Sequence, residues 1–133
     1  MSADPVDDVL AAVAACAPTI RAALPERRGQ ATGENPTGDE RLAADAYADD
    51  LLCERLVAVE GVGEVASEER ADVVASETGR DLSVALDPLD GSSNLRSNNL
   101  MGTLVSVYDA PLPASGADLL AAGYVLYGPV TTM

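Results

Sequence analysis

Residues 82–94 read LSVALDPLDGSSN. The first five make a short aliphatic run of the kind that forms a buried strand. Two aspartates three apart then enclose Pro88, and Gly91, Ser92, Ser93 and Asn94 follow at once. The fixed φ of Pro88 predicts a tight turn with Asp90 lying across it from Asp87. A plain Asx-Pro turn accounts for DP and DG but not for the rest of the string. The same residues carry oxygen donors of the kind hard divalent cations take: the carboxylates of Asp87 and Asp90 and the carbonyl of Leu89. GSSN then offers backbone N–H groups and hydroxyls, suited to a phosphate if a turn or helix begins there. A calcium EF-hand is excluded, because Leu89 and Gly91 stand where that loop needs oxygen ligands.

Outward from this stretch the chain changes its period. GVGEVASEE, ADVVASE, DLSVALD, GTLVSVYD and LLAAGYVLYG are short apolar runs broken by turn residues, and they predict strands over the second half. The last of them, continued as GPVTTM, reads as a strand still in progress at the end of the sequence. The first half reads as helix. Asp4 can cap a helix running to Leu24, Pro5 suits its first turn, and Val6, Val9, Leu10, Val13, Ala17, Ile20 and Leu24 fall on one face. Pro18 should kink or interrupt it. Residues 25–38, PERRGQATGENPTG, predict a loop. A second helix is expected from about Asp39 to Val59, with Leu42, Ala46, Leu52 and Leu56 inward. Helices first and strands afterwards give an α+β domain: N-terminal helices packed on a largely antiparallel sheet.

At 133 residues the chain can bury a core of its own, and with 47% hydrophobic but only 3% aromatic residues that core must be aliphatic. All eight basic residues are arginine, against 22 acidic ones, for a net charge of −14. Such a field repels nucleic acid and anionic membranes, so neither is expected as a partner. It also repels an anionic substrate unless metal ions invert the local potential. The composition resembles that of salt-adapted proteins, whose self-repulsion is relieved when the Debye length falls to about 3 Å at molar salt. The absence of histidine excludes a Ser-His-Asp triad, a Cys-His pair and His-ligated zinc. Cys16 and Cys53 are expected as buried free thiols. No apolar run reaches membrane-spanning length and the acidic N-terminus is not that of a signal peptide, so a cytoplasmic protein is expected.

Two further acidic blocks stand out. NPTGD carries Asp39, with Asp45 six residues on; a helical step of six would leave the two roughly 120° apart, so Asp39 is expected at a loop–helix junction. Glu68 and Glu69 close the strand-like VGEVAS, and can serve one site if the chain is already turning there. Read singly, each block is also what a solvated acidic surface contains.

Together, NPTGD with Asp45, SEE, DPLDGSSN, MGTLVSVYD and AAGYVLYG resemble class I fructose-1,6-bisphosphatase in order and approximate spacing. That family sits within the inositol-monophosphatase-like superfamily of metal-dependent phosphatases. The resemblance implies the N-terminal half of a layered α/β sugar-phosphatase fold, with residues 1–133 as the metal-binding domain and the C-terminal domain absent. It implies two or three Mg²⁺ ions (Mn²⁺ in some members) held by Glu68, Glu69, Asp87, the Leu89 carbonyl and Asp90. Asp39, Asp45 and Glu69 would act catalytically, orienting a metal and activating the attacking water. Asp90, Gly91, Ser92 and Ser93 would hold the substrate 1-phosphate. The implied reaction hydrolyses fructose 1,6-bisphosphate to fructose 6-phosphate and phosphate, in gluconeogenesis, by a homo-oligomer in the full-length form. A related sugar or inositol phosphatase, and a truncated remnant that binds metal and phosphate without turnover, are the alternatives. Arg96 departs from the family's usual apolar-acidic continuation after SSN.

Overall fold

A computed structural model of the protein describes residues 4–77 and 81–128, with the backbone alone at 30–32. Helix α1 spans Pro5–Ala23. The Asp4 side chain accepts the Val6 N–H at 2.9 Å, Asp7 and Asp8 lie at the positive end of the helix dipole, and Arg21 lies at the negative end. Pro18 does not interrupt it. The proline sits on the solvent face with exposed Ala14, whose freed carbonyl can turn to water.

The predicted loop at 25–38 is in part a hairpin: β1 (Gln30–Glu34) pairs antiparallel with β2 (Glu40–Leu42). Helix α2 therefore starts at Ala43 rather than Asp39, and runs to Val57. Asp39 lies in the hairpin turn, separated from the helix by β2. The turn is closed by the side chain of Asn35, whose Oδ1 accepts the N–H groups of Thr37 (3.1 Å) and Asp39 (2.9 Å).

The remaining strands are β3 (Val62–Ser67), β4 (Val74–Ala75), β5 (Leu82–Asp90), β6 (Met101–Tyr108) and β7 (Leu119–Tyr127), in the order β4-β3-β5-β6-β7. All neighbours are antiparallel except β3 and β5, which run parallel. The expected α+β architecture holds, with this one parallel junction inside it. Residues 129–133, where the sequence reads as a continuing strand, lie outside the described residues.

One face of the sheet carries the helices. Val84 pairs with Val107 and Leu86 with Val105, and all four are buried against α1 and α2 through side chains such as Ile20, Leu52 and Leu56. Cys16 and Cys53 are buried free thiols within this aliphatic core. Along β6 and β7 the opposite face exposes Leu104, Tyr124 and Leu126. Among the described residues no helix is long and apolar enough to cross a membrane.

Candidate metal- and phosphate-binding site

The parallel junction positions the site. Because β3 and β5 point the same way, with Ser67 level with Leu86, their C-terminal ends emerge together. Glu68 and Glu69 follow β3 immediately; Asp87 to Asp90 form the end of β5. Antiparallel pairing would have put these acids at opposite ends of the sheet.

DPLD is not a tight turn. β5 continues through it, and the turn comes one residue later at Gly91, whose φ of 73° suits glycine. Asp87 pairs with Leu104 and Asp90 with Gly102, so three steps on β5 match two on β6. One extra residue is a β-bulge, and it resets the alternation. Without it, residues three apart would face opposite sides of the sheet; with it, Asp87 and Asp90 share one. Proline fits the bulge because it needs no N–H partner there. The Pro88 carbonyl accepts the Thr103 hydroxyl at 2.8 Å. That uses the only proton of Thr103, so the Tyr127 hydroxyl, 2.6 Å away, is the donor in the next link. Inside the bulge the Leu89 N–H reaches Asp87 Oδ1 at 3.2 Å.

The acids converge on one cleft of about 340 Å³. Glu68, Glu69, Asp87, Leu89 and Asp90 line one side of it. Gly91, Ser92 and Ser93 line it from the start of the 3₁₀ turn Ser92–Leu95, and Asp39 reaches it from the hairpin. Asp45 is the exception among the expected residues. It sits behind the wall, buried, three residues into α2, where its Oδ2 accepts the Leu42 N–H at 2.7 Å. Half a capping box results, since leucine cannot reciprocate.

Crowding of like charges at half-buried positions raises carboxyl pKa values. Asp87 is pushed up to about 8, first by burial and then by the neighbouring Glu68 and Asp90. Glu69 is pushed up to about 7 by burial and the charge of Asp45, against the pull of Arg41. Burial also raises Asp45, opposed by the Leu42 N–H, the Ser92 hydroxyl and Arg41. Asp45 Oδ1 and Glu69 Oε2 are buried with no hydrogen-bond partner. Arg41 Nε lies 3.4 Å from Glu69 Oε2 but is not aligned to donate to it.

Several supporting residues lie outside the expected set. Asp49, fully buried one turn beyond Asp45, accepts the Ser67 hydroxyl (2.5 Å) and Arg70 Nε (2.8 Å). Ser67 Oγ in turn accepts the Glu69 N–H at 3.2 Å, so Asp49 anchors the turn that presents both glutamates. The sequence does carry a signal for it: positions 45, 48, 49, 52 and 56 are one helical stripe, and an acid in an apolar stripe needs a partner. Asn35 also lines the cleft, and Arg96 lies at its edge in a two-pronged ion pair with Glu40.

Residues 7–133 match the family model described as fructose-1,6-bisphosphatase, N-terminal domain. The chain belongs to the fructose-1,6-bisphosphatase family. It is 55% identical over 131 residues to the class 1 fructose-1,6-bisphosphatase of Natronomonas pharaonis, covering 98% of this chain and 46% of that protein. The class 1 protein of Halobacterium salinarum is 54% identical over 132 residues, with the same two coverages. The chain thus spans about half the length of these curated relatives. In fold it matches holo fructose-1,6-bisphosphatase from Leishmania major, with a TM-score of 0.84 at 24% identity over 96% of this chain and 46% of that one. A structure titled putative sedoheptulose-1,7 bisphosphatase from Toxoplasma gondii matches with a TM-score of 0.67 at 28% identity, over 84% and 39%.

Proposed function

We propose that residues 1–133 form the metal- and phosphate-binding domain of a sugar-bisphosphate phosphatase that removes the 1-phosphate of fructose 1,6-bisphosphate, as the names of its haloarchaeal relatives suggest. One observation carries this reading: the carboxylates of Glu68, Glu69, Asp87 and Asp90 and the GSS loop open onto a single cleft.

The residues fit Mg²⁺ or Mn²⁺. They offer only oxygen donors, the buried Oε2 of Glu69 lacks any hydrogen-bond partner, and burial together with neighbouring acids raises the proton affinities of Glu69 and Asp87. Glu68, Glu69, Asp87, Asp90 and the Leu89 carbonyl would hold the ions. When bound, the metal neutralises phosphate charge and makes water acidic enough to attack near neutral pH. The chain does the rest. Gly91, Ser92 and Ser93 orient the phosphate with backbone N–H groups and hydroxyls. Glu69, beside Asp45 at the cleft wall, would orient the attacking water. Asp45, buried behind the wall beside Glu68 and Ser92, supports these groups from behind, and Asp39 lines the cleft from the hairpin. A cytoplasmic, salt-adapted enzyme of gluconeogenesis, oligomeric in its full-length form, is the setting that the reading implies.

The test is phosphate release from fructose 1,6-bisphosphate with Mg²⁺ at molar salt. It is run on this chain and on this chain joined to the remaining half of the Natronomonas pharaonis relative. In the joined protein Asp87→Asn should cut turnover by about a hundredfold or more; unchanged turnover would show the site to be misplaced. A second reading is binding of metal and phosphate without turnover by residues 1–133 alone, and what favours it is that the chain spans about half the length of its curated relatives.

A further inference from the structure

Arg96 is the only cationic side chain among the described residues that line the cleft, set against the acidic Asp39, Glu40, Glu68, Glu69, Asp87 and Asp90. It follows directly on the 3₁₀ turn Ser92–Leu95, whose Leu95 is fully buried, so its backbone is anchored. Its guanidinium donates from Nη1 (3.2 Å) and Nη2 (2.5 Å) to the two carboxylate oxygens of Glu40, which opens β2 on the facing hairpin. Both side chains are about half exposed, at 48% and 45%. An exposed pair of this kind is held weakly, because water and salt compete for both partners. A planar guanidinium fork accepts phosphate oxygens as readily as carboxylate oxygens.

We propose that Arg96 is an anion-binding side chain of this cleft, kept in reserve by Glu40 and surrendered to a phosphate group of the incoming sugar phosphate. The proposal rests on the phosphate-binding reading of the cleft and adds a ligand to it. Glu40 then has a defined role. It occupies the one cation in an acidic cleft until a competing dianion arrives, and so tunes the affinity downward.

A purely structural staple between hairpin and loop makes a different forecast, and two variants separate the cases. Inorganic phosphate is titrated calorimetrically into the full chain with Mg²⁺ at fixed ionic strength. Glu40→Gln frees Arg96 and should tighten phosphate binding by about threefold to tenfold, whereas Arg96→Gln should weaken it about tenfold. Opposite signs from two variants that break the same ion pair are the signature. If the unaltered chain takes up phosphate but both variants shift affinity in the same direction, or neither shifts it, the inference falls and the site stands. If the unaltered chain takes up no phosphate at any Mg²⁺ concentration, the phosphate-binding reading falls and the inference with it.

Discussion

Glu69 and Asp87 show how far a single side chain's chemistry depends on its neighbours. Both carry ordinary carboxyl groups, yet burial and adjacent acids push them to about 7 and about 8. The consequence for stability has a definite sign. The unfolded chain releases these protons near pH 4, while the folded chain keeps them until pH 7 to 8. Over that interval the folded state binds more protons, so stability falls as pH rises. Without divalent ions, the thermal midpoint should therefore decline from about pH 4 to about pH 8. Adding Mg²⁺ should flatten the decline by replacing protons with metal charge. A midpoint in EDTA that is level or rises across this window would contradict the described crowding. The acids themselves are legible in the sequence as blocks. Their raised proton affinities are not, because burial and the approach of Glu68 to Asp87 are products of packing.

At the scale of elements, the bulge in β5 matters most. DPLDGSSN is recognisable as a site string, but its local geometry is not: proline and glycine suggest a turn at Pro88, and the chain turns at Gly91 instead. Propensity cannot decide this, because a bulge exists only relative to a partner strand. The partner has its own requirement at Gly102, which faces Asp90 across the pair. A Cβ there would overlap both the Tyr124 ring and the Val125 carbonyl oxygen, and the carbonyl belongs to a paired strand that cannot yield. Gly102→Ala should destabilise the protein by about 3 kcal/mol and push Tyr124 off the strand. A denaturant midpoint equal to that of the unaltered chain would show that β6 and β7 separate freely. The hairpin β1–β2 is hidden from the sequence for a related reason. Its residues are turn formers, and Asn35, not strand propensity, closes it.

At the scale of the molecule, charge dominates. A net charge of −14 on 133 residues opposes compaction, and salt should relieve it. Raising KCl from 0.1 M to 2 M should raise the thermal midpoint by several degrees as screening shortens from about 10 Å to about 3 Å or less. A midpoint that falls would mean that ion pairs such as Arg70–Asp49 outweigh the repulsion. By itself the sequence determined the two helices and the strands of the second half, the aliphatic core, the absence of histidine chemistry and the acidic and glycine-serine strings of the site. These are local properties, written in period and composition. Only the tertiary structure decided that β3 and β5 run parallel, that a bulge turns Asp87 and Asp90 to one side, and that Asp45 lies behind the wall. The physical reason is that each is a relation between segments far apart in the chain. Strand direction and register are fixed by which apolar faces can be buried together, and no single segment carries that information.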